Sequence, residues 1–272
     1  TLSNRLTIIP QGCFYLCRSI QHITLPEHLL KIDNGAFTGC SSLEDLKFPT
    51  TIKEIGEMAF AGCAKFVEVS IPEQVININK GVFTSCTHLR KVVLPDGTYA
   101  IGDEAFKGCV TLERINIPKS TFRIGKSAFQ NCLQLRNIYL VDHIHLIEEG
   151  AFQECKMLED IVLPESLTIL EQGAFAQCVS LRTIKFNKKL RTIENGAFYE
   201  CRQLREITLP DSVQTIGEEA FMNCKNLRKV VLPEGLKKIG ASAFKDCESL
   251  MVPYYPVSAL VGKNAFKGCK DR

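Results

Sequence analysis

The stretch Gly196 to Glu218, GAFYECRQLREITLPDSVQTIGE, is one copy of a unit of 23 residues, and the rest of the chain is that unit repeated. Phenylalanine stands at 14, 37, 60, 83, 106, 129, 152, 175, 198, 221 and 244, one period apart, and Phe266 arrives one residue early. With each Phe taken as position zero, cysteine falls at +3 in every copy, from Cys17 to Cys269. A period in this range marks a stacked repeat, because one unit cannot bury its apolar side until a neighbour covers it.

The other recurring positions identify the inward side chains. Position +6 is Leu, Ile or Phe, as in Leu135, Leu158 and Leu204. Position +9 is Ile, Leu or Val, as in Ile138, Ile161 and Ile207, and +11 adds another apolar residue such as Leu209. Another aliphatic recurs at +18, as in Ile147, Leu170 and Ile193, and a small residue precedes each Phe.

Within Arg205-Glu206-Ile207-Thr208-Leu209 apolar and polar residues alternate, and Pro210 follows. That pattern reads as a short half-buried strand ended by a residue that cannot donate to a ladder. One such strand per coil predicts a parallel sheet. Positions +13 to +18 read as a crossing loop with two apolar pegs, Val213 and Ile216 in this copy. Glycine at +19 or +21, as in Gly56, Gly102, Gly125, Gly217 and Gly240, is expected to permit a turn with positive φ. The spacing of Phe at zero, Cys at +3 and the aliphatic at +6 or +7 predicts a short α or 3-10 turn opposite the sheet.

Three places depart from the pattern. Around Val141-Asp142-His143-Ile144-His145 the proline is lost, at Asn187 it is replaced, and Pro253 falls where the strand's central apolar residue belongs. The expected organisation is one solenoid over 1–272, of about twelve units. Residues 1–13 form a partial first coil, and 251–272 form an irregular last one. A start in mid-coil leads us to expect a piece of a longer protein, since natural arrays close their ends with a cap.

The 33 basic and 30 acidic residues leave a formal net charge of +3, too balanced for a general nucleic-acid footprint. Apolar runs are too short for a membrane span. The 13 cysteines suggest a disulfide scaffold by number but not by spacing. Equivalent residues of stacked coils sit about 4.8 Å apart with parallel side chains, whereas a disulfide needs Cβ atoms roughly 3.5 to 4.5 Å apart and facing. A ladder of buried free thiols is expected, because cysteine is small, apolar and readily buried. Cys13, where most copies have Ala, leaves open a pairing with Cys17.

The pattern Leu-x-x-Ile-x-Leu-Pro-x-x-Leu-x-x-Ile-Gly-x-x-Ala-Phe-x-x-Cys, carried almost residue for residue by Leu204 to Cys224, resembles the BspA-like, or Treponema pallidum type, leucine-rich repeat. The resemblance spans essentially the whole chain. It implies a right-handed curved solenoid with a parallel β-sheet on the concave side, and with the short helical or 3-10 turns read above it gives an α/β repeat fold. It also implies a surface-exposed or secreted protein of a host-associated bacterium, similar to adhesins that bind host or microbial surface proteins. It carries no catalytic residues.

No Gly-x-Ser-x-Gly elbow, phosphate loop, dinucleotide fingerprint or Cys-x-x-Cys pair occurs, so neither an enzyme nor a cofactor is expected. His143-Ile144-His145 beside Asp142 offers two imidazoles and a carboxylate suited to zinc or nickel, but no third placed imidazole. What remains is surface. Positions +8 and +10 face out of the expected sheet, early coils lean acidic and later ones basic, and Val93, Tyr139, Val162 and Val231 are interleaved. Lys91, Arg114, Tyr139, Arg182, Lys185, Arg205, Lys229 and Val231 are the candidate partner-binding residues of this concave face. The expected function is monomeric, non-enzymatic binding of a protein partner; the alternative is a spacer that presents a neighbouring domain.

Overall fold

The structure, a computed structural model, describes residues 2–271. The chain winds into a parallel β-solenoid of about 11 turns. Its apolar interior is one contiguous cluster running from Ile9 to Ala265.

The alternation at +8 to +10 is realised in Glu68–Ser70, Lys91–Val93, Asp160–Val162, Glu206–Thr208 and Lys229–Val231, each with an exposed, a buried and an exposed residue in turn. Thr183–Lys185 has the same directions with a half-buried centre, and Arg114–Ile115 is one residue shorter. These strands do not form the single sheet expected. They form three parallel ladders of three, two and two strands, and residues 137–139 belong to none of them.

The segment read as a crossing loop ends in a second strand. Positions +17 and +18 pair from coil to coil, as Lys31 does with Glu54 and Ile32 with Ile55, in three parallel ladders of three, four and five strands, the last ending at Leu260–Val261. Two residues are too few to show an alternation, which is why only the inward aliphatic at +18 was legible.

The expected helical turns are absent: among the described residues there is no helix. In the unit around Phe37, alternate amides point along the solenoid axis. Gly35, Phe37 and Gly39 donate to the carbonyl oxygens of Glu57, Ala59 and Ala61 in the next coil at 2.8, 2.8 and 2.7 Å. The amides between them close tight turns, Ala36 to Asp33 at 3.2 Å and Cys40 to Phe37 at 3.0 Å. Both turns have a left-handed third residue, Gly35 with φ 61° and Gly39 with φ 73°, as a type II turn requires. The same two positions are left-handed where the residue is not glycine, for example Glu104 at 57° and Asn131 at 61°. A left-handed L-residue costs roughly 1 to 2 kcal/mol. The cost is offset because these amides can then bond to a neighbouring coil, which a helix turning on its own axis would forbid. Successive three-residue turns reproduce the 0, +3, +6 spacing that suggested a helix.

The glycines at +19 are also not what the sequence suggested. Gly217 and its equivalents have ordinary φ; a Cβ on Gly217 would lie 2.6 Å from the backbone nitrogen of Asn195 in the preceding coil. They serve close backbone approach, while positive φ belongs to +21 and +2.

The phenylalanines form a continuous stack through the centre. Ring centroids lie between 5.0 Å (Phe14 to Phe37) and 5.8 Å (Phe175 to Phe198), and neighbouring planes are nearly parallel. From Phe37 to Phe244 the rings are fully buried. Beside them runs the thiol ladder. Cys63 Sγ donates to the carbonyl of Phe37 at 3.3 Å, Cys132 to Phe106 and Cys201 to Phe175 at 3.2 Å, each across 26 residues. All the cysteines are free, including the exposed Cys13 and half-buried Cys17. Burial pushes the thiols of Cys109, Cys178 and Cys224 up to about 12. Such groups are neither thiolates nor nucleophiles at neutral pH.

Two sequence irregularities are absorbed locally. Asn187, at a proline position, is buried, and its Nδ2 donates to the carbonyls of Pro164 and Leu167, at 2.5 and 3.0 Å; its Oδ1 accepts the Lys189 amide at 2.7 Å. At the other, Met251 bridges to Lys270 beside Pro253, while the shorter-strand ladder carries on from Lys238–Ile239 to Leu260–Val261.

Candidate binding face

The eight candidate residues are all exposed and lie on the outward rows of the longer strands, which the family resemblance makes the concave side. The breaks between ladders divide them into groups. Lys91 and Arg114 are adjacent in the first ladder, with their Cα atoms in register. Arg182 and Lys185 belong to the coil of Thr183–Lys185; Lys229 and Val231 stand in the last ladder, and Arg205 directly precedes its first strand. Tyr139, 76% exposed, stands in the unpaired coil between the first two groups.

Ion pairs across neighbouring coils occupy part of this surface. Lys91 reaches Glu68 at 3.4 Å, and Glu159 sits between Arg136 at 3.6 Å and Arg182 at 3.9 Å. Lys185, Arg205, Arg228 and Lys229 take part in no ion pair among the described residues, and neither does Arg114. The pairs are largely exposed and contribute little to stability, while the five unpaired cations are exposed and open to another molecule.

The last strand of the first ladder is cut short for an identifiable reason. In intact coils the +11 amide donates to the +10 carbonyl of the next coil, as Leu209 does to Val231 at 3.0 Å. At Leu94 the side chain of Asn116 takes that place: its Oδ1 accepts the Leu94 amide and its Nδ2 donates to the Leu94 carbonyl, both at 2.8 Å. The side chain holds its own main chain off by its length, and the strand ends at Ile115. Ile115 is half-buried where most of its equivalents are buried, and Ile184, beside the other gap, is too. The first gap opens into a hollow of about 840 Å³ lined by Lys91, Arg114, Arg136, Asn137 and neighbours.

Two features escaped the sequence reading. Tyr99, Phe122 and His145 stack along the crossing segment, with centroids 5.5 and 4.6 Å apart. They occupy the same position of successive units, a signal hidden by its place in a presumed loop. Beside them Arg123 bonds Glu148 through two nitrogens, at 2.8 and 2.7 Å, and Asp103 at 2.5 Å. The stack also accounts for the His143 and His145 pair. His145 lies against Phe122 with its Nδ1 2.8 Å from the His143 carbonyl oxygen, and no group of three metal-binding side chains occurs among the described residues. Also among those residues, no helix is long and apolar enough to cross a membrane.

Coil-on-coil parallel pairing around an aromatic and aliphatic core, with outward rows left free, defines a leucine-rich-repeat solenoid, a fold that generally serves protein interaction rather than catalysis. The chain belongs to the BspA type leucine rich repeat region family, whose model matches six copies over 7–136 and 145–271. It is similar to a leucine-rich repeat protein from Bacteroides ovatus, with 30% identity over 98% of this chain and 75% of that one and a TM-score of 0.85. A leucine-rich repeat protein from Eubacterium ventriosum is similar in fold, with 22% identity, 97% and 80% coverage and a TM-score of 0.67. So is the pneumococcal vaccine antigen PcpA, with 17% identity, 95% and 84% coverage and a TM-score of 0.55. None of the curated proteins compared with it by sequence matches.

Proposed function

We propose that the chain is a non-enzymatic protein-binding module of a cell-surface or secreted bacterial protein, adhesin-like, and that it meets its partner with the outward rows of the longer strands. The observation that carries this reading is the cluster of Lys185, Arg205, Arg228 and Lys229, cations without an ion pair among the described residues, with Val231 41% exposed beside them. Cations not committed to internal pairs steer association and set partner choice, and an adjacent apolar group supplies burial. The complementary partner is an acidic protein surface. The surface or secreted location rests on the family resemblance.

Binding of the labelled chain to intact host epithelial cells and to bacterial cells tests the reading. Saturable binding that falls at least tenfold in the Arg205→Glu, Lys229→Glu double variant, with unchanged thermal unfolding, is the expected result. Unchanged binding removes this face. No saturable binding to either cell type favours the spacer reading, to which the uninterrupted ring stack would lend stiffness. Fractionation of the source bacterium with an antibody to the chain tests the location.

A further inference from the structure

We propose that the gap in the longer-strand sheet between Arg114 and Asn137 is a binding site for carboxylate groups. In the preceding coil the +7 and +8 amides, those of Glu113 and Arg114, both donate to the Arg90 carbonyl, at 2.9 and 3.1 Å. One coil later the equivalent amides, those of Arg136 and Asn137, donate to no carbonyl among the described residues. Two adjacent backbone donors therefore open into the gap, as the amides of Arg205 and Glu206 do at the other gap. Arg114 and Arg136 line the same hollow. Backbone amides beside guanidinium groups are donors that charged oxygens accept strongly.

The charge and the floor of the hollow narrow the ligand. Lys91, Arg114 and Arg136 stand against Glu113 alone among the charged lining residues. The rim acids Glu68 and Glu159 hold Lys91 and Arg136 only at 3.4 and 3.6 Å. This modest positive excess suits a singly charged group better than a phosphate dianion. Half-buried Ile115 and exposed Val93 supply an apolar floor for the carbon skeleton that carries the carboxylate. The volume is in the range of small-ligand clefts. An acidic side chain of a protein partner and a uronate sugar share this chemistry. The acidic-peptide source rests on the protein-binding reading above; the site itself does not.

Amide NMR of the full chain, titrated separately with hexaglutamate, hexagalacturonate and inorganic phosphate, tests the proposal. Hexaglutamate is expected to shift the amides of Arg136 and Asn137, Arg114→Ala to weaken it at least tenfold with partial rescue by Arg114→Lys, and Lys263→Ala, an exposed cation outside both faces, to change it less than twofold. Shifts from hexagalacturonate alone uphold the site and assign its carboxylate to a sugar. The proposal is overturned if neither carboxylate probe moves these amides, if Arg114→Ala leaves the affinity within twofold, or if phosphate binds more tightly than both. Loss of cell binding in the Arg205→Glu, Lys229→Glu variant is independent of all these outcomes, so the two readings fail separately.

Discussion

Cys132 Sγ lies 3.2 Å from the carbonyl oxygen of Phe106, 26 residues earlier, and donates to it from a fully buried position. The bond explains why a thiol recurs where another small apolar residue would also fit. Alanine removes the donor and leaves a void, while serine keeps a donor on a shorter bond and buries a more polar group. Both Cys132→Ala and Cys132→Ser should lose about 1 to 3 kcal/mol. Urea unfolding that placed Cys132→Ala within about half a kcal/mol of the parent, the range of neutral surface changes, would make the thiol a space filler only.

Burial protects the same thiols chemically. Native protein treated with iodoacetamide at pH 8 should label Cys13 and Cys17 and spare Cys63 to Cys224, which should react only after denaturation. Half-buried Cys269 should react as well; peptide mapping locates the adducts, and early labelling of any thiol from Cys63 to Cys224 would contradict a closed stack.

Stability should fall at alkaline pH. An unfolded thiol titrates near 8.5, whereas burial raises Cys109, Cys178 and Cys224 to about 12. Above pH about 8.5 the unfolded chain loses these protons while the folded one keeps them. The contribution is thus fully present below that pH and is lost as the pH rises towards 12. Urea midpoints should decline steadily between about pH 8.5 and 11; a constant midpoint over that range would exclude the linkage.

Two phenylalanines should differ according to their neighbours. Phe129 is covered on both faces, by Phe106 at 5.5 Å and Phe152 at 5.2 Å, whereas Phe14 stacks only on Phe37 and is half-buried. Phe129→Ala should cost roughly 3 to 5 kcal/mol and Phe14→Ala clearly less, as nearest-neighbour coupling requires. Equal losses in urea unfolding would argue against that coupling.

Glycines in two roles should also be separable. Gly196 has φ 59° and its Cβ direction meets only Tyr199 Cβ at an ordinary 3.8 Å, so Gly196→Ala meets the left-handed penalty alone, about 1 to 2 kcal/mol. Gly217→Ala drives a Cβ to 2.6 Å from the Asn195 nitrogen and must move backbone, so it should be the more destabilising of the two. The reverse order in thermal unfolding would refute the close-approach role.

Much of this architecture was legible before any coordinates. The recurrence of Phe, Cys and the aliphatics at +6, +9 and +18 marks the inward side chains, because a stacked array repeats what it buries and varies what it exposes. The alternation around Ile207 placed the longer strands, and the outward candidate residues proved exposed. The conformation of the Phe segment was not legible, because tight turns and a helical turn share a spacing of three. Only the hydrogen bonds to the next coil, such as Phe37 to Ala59, decide between them.

The tertiary structure alone decided how the binding surface is divided. A strand pattern does not say whether its backbone will reach the neighbouring strand; here the side chain of Asn116 replaces a main-chain partner of Leu94 and the strand stops at Ile115, with no paired strand in the next coil. Side-chain periodicity records which residues meet the core, and the chain carries that record in full. Which amides stay unpaired depends on distances between coils, and no single repeat contains them.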